Sequence, residues 1–316
     1  MERIVFLDRN AIRVPLPQPG FAHEWIEFPH TENELVIERL QDTTIAITNR
    51  VPITADILDA VPTLKLIAVA ATGYDHVDVS ACQSRGVAVC NIRHWSISVP
   101  EHVFAMALSL RRQLPAYRDA LAAGDWQKSS TYCVLLEPMP RTLAGSTLGL
   151  IGYGALAKKV EQIADGFGMN TLIAERREAA EIRKGRTSFK DVLQQSDVLV
   201  VLCPLTAETQ NLIGQAEIAM MKPEAILINC ARGGIVNESA LLNALLSGAI
   251  SGAATDVLSN EPPRNGNPLL SRSLPNLIVT PHVAWASIES LNELARGLID
   301  NLDAFVAGTP TNLINA

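Results

Sequence analysis

Residues 147–157 read TLGLIGYGALA, an apolar run that leads into a Gly-x-Gly-x-x-Ala turn and then into a helical pattern. Gly152 suits the tight turn, Gly154 lets the backbone approach a pyrophosphate, and Ala157 lets the helix pack close to the strand. The pyrophosphate would sit at a helix N-terminus, where free N–H groups and the helix dipole favour an anion. The stretch predicts a dinucleotide site, although a Gly-rich turn of another α/β protein, such as a methyltransferase, fits the same pattern.

Short apolar runs alternate with helical patterns on both sides of this turn. The runs predicted to be strands are Ile4–Leu7, Ile45–Thr48, Leu66–Ala70, Val87–Cys90, Thr147–Ile151, Thr171–Ala174, Val198–Leu202, Ala225–Cys230, Gly252–Val257 and Leu277–Thr280. Most are apolar throughout, which is typical of parallel strands covered on both faces. We therefore predict an α/β protein with parallel sheets. Ten strands are many for one small sheet, so two units are expected.

The strand after the glycine turn ends at Glu175, which lies 23 residues after Gly152. An acid at about this spacing accepts the ribose hydroxyls of NAD and repels the extra phosphate of NADP. Arg176 and Arg177 follow directly, and a guanidinium can hold that phosphate. The two arginines fit a solvated turn equally well. The sequence favours NAD as the cofactor and leaves NADP open.

The composition excludes several classes of partner. The chain has 316 residues, a formal net charge of −7 and a pI of about 5.4. An acidic chain without a dense Lys/Arg cluster does not favour nucleic acid or an anionic membrane. No uncharged apolar run reaches the roughly 18 residues of a membrane helix. Five cysteines without a C-x-x-C pair, and charges too early for a signal peptide, predict a cytoplasmic protein with reduced thiols.

Three further segments place a chemically useful side chain just after a predicted strand. They carry Arg232 in INCARGG, Glu261 in DVLSNEPP and His282 in VTPHVAW. In open α/β sheets, ligands bind beyond the carboxyl ends of the strands. Taken singly, Arg232 could be a surface ion-pair partner, Glu261 a loop carboxylate and His282 a structural histidine. Because all three follow a predicted dinucleotide-binding turn, each after its own strand, a shared catalytic role is favoured.

The whole series of motifs resembles the D-isomer-specific 2-hydroxyacid dehydrogenase family, most closely its glycerate dehydrogenase/hydroxypyruvate reductase branch. The resemblance covers nearly the whole chain. The motifs that carry it are ATGYDHVD at 71–78, VPEH at 99–102, the glycine turn, CPLTAET at 203–209, ARGG at 231–234, DV at 256–257, EP at 261–262 and PH at 281–282.

The resemblance implies an oxidoreductase that moves a hydride between NAD(P)(H) and a small D-2-hydroxy or 2-oxo acid, with hydroxypyruvate or glyoxylate favoured. His282 would be the general acid/base, steadied by Glu261, and Arg232 would bind the substrate carboxylate. Backbone N–H groups at Thr72 and Gly73 would hold the other carboxylate oxygen.

The resemblance also implies which residues contact the cofactor. Asp256 would hydrogen-bond the nicotinamide carboxamide. The remaining residues expected to contact the cofactor are Tyr153, Gly154, Ala155, Leu156, Glu175, Arg176, Cys203, Pro204, Thr209, Cys230, Ala231 and His282. No metal site is expected.

The implied architecture has two domains. Residues 1–96 with 287–316 would form a smaller flavodoxin-like substrate domain, and residues 97–286 a Rossmann-type doubly wound dinucleotide domain. The active site is expected in the cleft, a common place for ligand pockets. The family is usually dimeric, so a homodimer is expected, with residues 132–141 in a dimer arm. Trp95 would either narrow the substrate pocket or pack at the hinge.

Two other functions remain open at this point. The chain could be a dinucleotide-sensing interaction protein without useful catalysis, although such a sensor needs no proton donor. It could also oxidise formate or phosphite, as related dehydrogenases do. A panel of 2-oxo acids, tested with each reduced cofactor, separates these alternatives.

Overall fold

The computed structural model describes residues 1–93 and 98–315. Its strands are β1 (Glu2–Phe6), β2 (His23–Glu27), β3 (Ile45–Thr48), β4 (Leu66–Val69), β5 (Ala88–Cys90), β6 (Thr147–Ile151), β7 (Asn170–Ile173), β8 (Val198–Val201), β9 (Ile226–Asn229), β10 (Gly252–Thr255) and β11 (Leu277–Val279). Its α-helices are α1 (Val36–Arg39), α2 (Ala55–Ala60), α3 (Val79–Ser84), α4 (Ser98–Arg111), α5 (Leu114–Ala122), α6 (Asp125–Lys128), α7 (Ala155–Gly166), α8 (Phe189–Gln195), α9 (Gln215–Ile218), α10 (Glu238–Ser247) and α11 (Ile288–Val306).

The chain divides into two compact units. The first contains Met1–Trp95 and Ala286–Ala316, and the second contains Ser96–Trp285. Each unit has its own sheet, and all recorded strand pairs in both sheets are parallel. The predicted α/β class with two parallel sheets is confirmed.

The first unit has the strand order β2-β1-β3-β4-β5. This is the flavodoxin-like order of a doubly wound sheet. Strands β3 and β4 are buried over their whole length, as their mostly apolar sequences predict. The sequence does not predict the outer strand β2, HEWIE, because two glutamates interrupt its apolar and aromatic residues. The strand lies at the edge of the sheet, where charged residues are tolerated.

The second unit has the strand order β11-β10-β9-β8-β6-β7. The chain leaves β6 for β7 on one side and returns to β8 on the other, so the order reverses at β6. Open α/β sheets bind ligands at the carboxyl ends of the strands beside such a reversal. The glycine turn lies at this point, because it directly follows β6. The fold therefore supports a ligand site beside this turn.

The helical spacing of Val103, Ala107, Leu110 and Leu114 predicts a helix from Ser98 to about Ala123, but helix α4 is shorter. It ends at Arg111, and Gln113 adopts a left-handed conformation with φ of 54° before α5 begins. Pro115 is the physical reason, because it has no N–H to donate to the carbonyl oxygen of Arg111, four residues earlier, and its ring would clash with that carbonyl in a continuous helix. Helix α4 packs on the second sheet through buried residues such as Val103 and Ala107.

No helix within residues 1–93 and 98–315 has both the length and the apolar character needed to cross a membrane.

Candidate active site

The glycine turn connects β6 to α7, and it is tightly packed at Gly152 but open at Gly154. Gly152 has φ of +91°, and a Cβ atom there would lie 2.6 Å from the backbone nitrogen of Cys203. A larger residue would therefore displace the loop after β8. A Cβ atom on Gly154, in contrast, would have no atom within 4 Å.

The open space at Gly154 fits a bound anion. Gly154 is the N-cap residue of α7 and has no side chain that could accept the first-turn N–H groups. Helix α7 runs for 12 residues, so its N-terminus carries a useful dipole. The turn at Tyr153 and Gly154 and the first helical residues, Ala155 and Leu156, therefore form a cradle that a dinucleotide pyrophosphate fits.

The other cofactor residues expected from the sequence follow neighbouring strands of the same sheet. Cys203, Pro204 and Thr209 follow β8, Cys230 and Ala231 follow β9, Asp256 follows β10, and His282 follows β11. Because all these strands are parallel and adjacent, their carboxyl ends meet at one edge. The structure therefore brings these residues to the edge that carries the glycine turn.

Two cysteines on this edge are structural thiols. Burial raises the pKa of the Cys203 thiol to about 11, and burial also raises the pKa of the Cys230 thiol. A thiol needs a lowered pKa to act as a nucleophile near neutral pH. Thr209 shapes the same region, because its Oγ1 donates to the carbonyl oxygen of Pro204 at 2.7 Å. All five cysteines of the chain are free, as expected.

Glu175, the residue expected at the ribose hydroxyls, has a carboxylate that is already engaged. Arg183 donates to both of its oxygens, from Nε at 2.7 Å and from Nη2 at 2.6 Å. The backbone N–H groups of Arg176 and Arg183 donate to it as well, at 2.9 Å and 3.2 Å. The side-chain hydrogen bonds from Arg183, with the backbone donors, lower the pKa of Glu175 to about 2. Glu175 is therefore ionised and held by a bidentate arginine.

His282 and Glu261 are in direct contact. Nδ1 of His282 lies 2.6 Å from Oε2 of Glu261. Oε1 of Glu261 accepts the backbone N–H of Leu258 at 2.8 Å, so both carboxylate oxygens are oriented. Because a carboxylate only accepts, the proton of this bond belongs to Nδ1. A proton that this ring exchanged with another molecule would therefore pass through the second nitrogen, Nε2.

The backbone of His282 is fixed in an unusual conformation. Its φ is +56°, which is rare for a residue other than glycine. Its N–H donates to the carbonyl oxygen of Asp256 at 2.8 Å, and its own carbonyl accepts the indole N–H of Trp285 at 2.8 Å. Strained backbone of this kind persists where the surroundings over-determine it, and it is common at active sites.

Asp256 is buried and holds the segment around His282. Its Oδ1 accepts the hydroxyl of Thr280 at 2.5 Å and the backbone N–H of Val283 at 2.9 Å, while its Oδ2 accepts the N–H of Ala284 at 2.9 Å. Sequence reasoning gave Asp256 a contact with the cofactor and missed this supporting role. No motif indicates it, because the donors are mostly backbone groups.

The loop that carries Arg232 contacts the loop that orients Glu261. A Cβ atom on Gly233 would lie 1.9 Å from the carbonyl oxygen of Leu258, so the loops after β9 and β10 touch. Leu258 is also the residue whose N–H binds Glu261. The guanidinium of Arg232 donates to the carbonyl oxygen of Ala231 at 2.9 Å. The three candidate catalytic residues therefore follow neighbouring strands, and the loops after β9 and β10 are in contact.

Thr72 and Gly73 lie in the first unit, in the loop after β4. The Thr72 hydroxyl donates to the carbonyl oxygen of Ile92 at 3.1 Å, and Asn91 donates to the carbonyl oxygen of Thr72 at 2.7 Å. These bonds fix the loop. Trp95, expected at the pocket or the hinge, lies outside the described residues.

The groups at this sheet edge are of the kinds that transfer protons and bind anions. An imidazole with one nitrogen held by a carboxylate can donate a proton to a carbonyl oxygen and take it back. An arginine beside it can bind a carboxylate. Within the part of the chain that the structure describes, no group of three or more His, Cys, Asp or Glu side chains could hold a metal ion.

Comparison with known proteins assigns this arrangement to a family. The model of the D-isomer specific 2-hydroxyacid dehydrogenase NAD binding domain matches residues 104–284. The chain is 46% identical to a glycerate dehydrogenase of Methylorubrum extorquens over 100% of this chain and 99% of that protein.

Solved structures agree with the sequence relatives. An NADPH-dependent glyoxylate/hydroxypyruvate reductase of Sinorhizobium meliloti matches with a TM-score of 0.81 and 29% identity, over 99% of this chain and 98% of that one. A D-lactate dehydrogenase of Aquifex aeolicus, complexed with NAD and lactic acid, matches with a TM-score of 0.84 and 26% identity, over 99% of both chains. The predicted resemblance and the NAD(P) cofactor are confirmed. The chain belongs to the D-isomer specific 2-hydroxyacid dehydrogenase family, on its glycerate dehydrogenase branch, and is an NAD(P)-linked oxidoreductase.

Proposed function

We propose that this chain reduces hydroxypyruvate and glyoxylate to the corresponding 2-hydroxy acids with a reduced nicotinamide dinucleotide, and catalyses the reverse reaction. The observation that carries the proposal is the 2.6 Å contact between His282 and Glu261 at the same sheet edge as the glycine turn. The 46% identical glycerate dehydrogenase supports the choice of small substrates.

His282 supplies the proton in the proposed reaction. A reduced nicotinamide, if bound beside the glycine turn, would supply the hydride that the carbonyl carbon accepts. Nε2 of His282 gives a proton to the carbonyl oxygen, and the C=O bond becomes an alcohol. The imidazole is then neutral, with Nδ1–H still donating to Glu261. In the reverse direction the neutral Nε2 takes the alcohol proton, and the Glu261 carboxylate stabilises the resulting positive charge.

Arg232 binds the substrate carboxylate in this proposal. Its planar guanidinium offers parallel N–H donors, which match a carboxylate better than an ammonium does. The part that the resemblance assigns to Thr72 and Gly73, donation of backbone N–H groups to the same carboxylate, stays a prediction.

The proposed reaction is tested by mixing the protein with NADH and, in turn, hydroxypyruvate, glyoxylate and pyruvate. We expect the absorbance of the reduced cofactor to fall, fastest with the first two acids. NADH binding without turnover on any 2-oxo acid would contradict the proposal and favour a sensing role. Oxidation of formate or phosphite with NAD, without 2-oxo acid reduction, would also contradict it.

The Glu175–Arg183 pair supports use of NADPH as well as NADH. A free acid after β7 would repel the 2′-phosphate, but Arg183 offsets the charge of Glu175. Arg186 adds a second cation nearby. Its guanidinium carbon lies 4.9 Å from the centre of the Tyr153 ring, and its Nη1 lies 3.3 Å from the carbonyl oxygen of Ala174. This guanidinium therefore lies between the end of β7 and the glycine turn.

Arg183→Ala is expected to lower kcat/KM for NADPH relative to NADH by about tenfold, because the charge of Glu175, without its arginine partner, then opposes the phosphate, and like charges in a binding site are costly. The measurement is the ratio of kcat/KM for the two cofactors. Arg85→Ala is the matched control, since Arg85 also pairs with a carboxylate, that of Asp59 at 2.7 Å, but lies in the first unit. An unchanged ratio in Arg183→Ala would show that this pair does not set cofactor choice.

The same proposal includes a homodimer in the cytoplasm. Apolar side chains of the segment after α4 are exposed, among them Leu114, Trp126, Tyr132 and Leu135. Exposed apolar patches of this kind mark association surfaces. Free cysteines support a reducing compartment. We expect sedimentation analysis to give twice the 34.1 kDa chain mass, and a monomer across the concentration range would contradict the dimer.

A further inference from the structure

The hydroxyl of Thr280 links a second histidine to the acid that holds the His282 segment. Oγ1 of Thr280 lies 2.5 Å from Oδ1 of Asp256 and 3.0 Å from Nε2 of His102. His102 itself lies 3.7 Å from the same carboxylate oxygen. The three side chains come from α4, from the end of β10 and from the end of β11.

The direction of each hydrogen bond in this chain follows from the chemistry of its groups. The Asp256 carboxylate only accepts, so the hydroxyl hydrogen of Thr280 points to it. A hydroxyl has a single hydrogen, so Thr280 must accept from His102. Nε2 of His102 therefore carries a hydrogen, and the order of donation is His102 to Thr280 to Asp256. This order fixes the tautomer of a neutral His102 as Nε2–H.

Asp256 connects this series of hydrogen bonds to the backbone around His282. Its carboxylate receives the N–H groups of Val283 and Ala284, and its carbonyl receives the N–H of His282 at 2.8 Å. These bonds fix the backbone of residues 282–284, which includes the left-handed conformation of His282. Cooperative chains of hydrogen bonds polarise one another, so a donor lost at one end weakens the others.

His102 is itself firmly placed. It lies in the second turn of α4, and its neighbours Val103 and Phe104 are buried in the core of the second unit together with Leu150 of β6. The imidazole is partly covered, with 22% of the side chain exposed. The helix therefore presents the donor from a rigid element, which suits a residue that orients others.

We propose that His102 is a positioning residue for the reaction of His282, acting through Thr280 and Asp256. The inference rests on the proposed function of His282, because it assigns His102 a part in that same step. His102 touches neither substrate nor proton in transit. Its donated hydrogen bond keeps the Thr280 hydroxyl directed at Asp256, and Asp256 keeps the His282 backbone in its left-handed conformation.

The kinetic test is a double-mutant cycle. His102→Met keeps the bulk and removes the donor, Thr280→Val keeps the shape and removes the hydroxyl, and the double variant carries both. We expect each single variant to lower kcat for hydroxypyruvate about tenfold, because small displacements of a catalytic group are costly, with the Kd for NADH changed less than about twofold. We expect the double variant to be no slower than Thr280→Val, because the two residues act in series. His102→Gln, which restores an N–H donor, is expected to recover most of kcat.

Multiplied losses in the double variant, or wild-type kcat in His102→Met, would overturn the proposal. Should His102→Met fail to fold, Thr280→Ser and Thr280→Val carry the test, since only serine keeps the hydroxyl. Equal kcat in these two variants would overturn the proposal, and a loss confined to valine would support it.

A second readout needs no turnover. The chain has six histidines, so spectra of protein labelled with ¹⁵N-histidine resolve single imidazoles, and His102→Met assigns the signal. We expect the Nε2–H form for His102 and a changed signal in Thr280→Val. A neutral Nδ1–H tautomer would overturn the hydrogen-bond order. If the wild type reduced no 2-oxo acid, the proposed function would fail while this spectrum still decided whether the chain of bonds exists.

Discussion

His282→Ala is expected to lower kcat for hydroxypyruvate reduction by about 10²- to 10⁴-fold, the contribution of a positioned general acid. The loss arises because the variant lacks the imidazole that Glu261 orients to give a proton to the carbonyl oxygen. The Kd for NADH, measured by the fluorescence of the reduced nicotinamide, is expected to change little, because the glycine turn lies after a different strand.

His30→Ala is the matched control for this prediction. His30 also pairs with a glutamate, Glu32, at 2.9 Å, but this pair lies in the first unit and is mostly exposed. We expect kcat of this control to equal that of the wild type. Wild-type turnover in His282→Ala would contradict the role of the imidazole, and so would an equal loss in both variants.

Arg232→Gln is expected to lower kcat/KM for hydroxypyruvate by about 10²- to 10³-fold, in the range for removing one partner of a buried charge pair. The loss is expected mainly in KM if Arg232 holds the carboxylate equally in the ground state and the transition state. A loss in kcat as well would show that it also polarises the carbonyl.

Arg232→Lys separates charge from shape. Lysine keeps the positive charge but lacks the planar fork of donors, so we expect an intermediate kcat/KM. Arg272→Gln, an exposed arginine of the same unit, is the control. Wild-type kcat/KM in Arg232→Gln would remove the carboxylate-binding role, and wild-type behaviour of Arg232→Lys would show that charge alone suffices.

Most of the fold could be predicted from the sequence, because buried parallel strands have uniformly apolar sequences. Strands such as β8 (Val198–Val201) and β9 (Ile226–Asn229) follow this rule and are buried throughout. Strand β2 could not be predicted in the same way. Its sequence, HEWIE, is typical of an edge strand, which pairs with one neighbouring strand only and on which charged residues are tolerated and favoured.

The contact between His282 and Glu261 could be predicted because the strand ends of a parallel sheet converge. Arg232, Glu261 and His282 each follow a strand, and the sheet places those strands side by side. The supporting contacts could not be predicted. His102 and Thr280 are 178 residues apart, and Arg183 meets Glu175 within an irregular loop, where neither strand nor helix period predicts contacts.

Transfer of deuterium from the cofactor tests the central claim most directly. NADH with deuterium at the reactive position of the nicotinamide is incubated with hydroxypyruvate and the wild-type protein, in parallel with His282→Ala. We predict that the wild type forms glycerate carrying deuterium on C2, while the variant binds the same cofactor and forms almost none. Glycerate formed by both proteins at equal rates, or none formed by the wild type with the cofactor bound, would contradict the account.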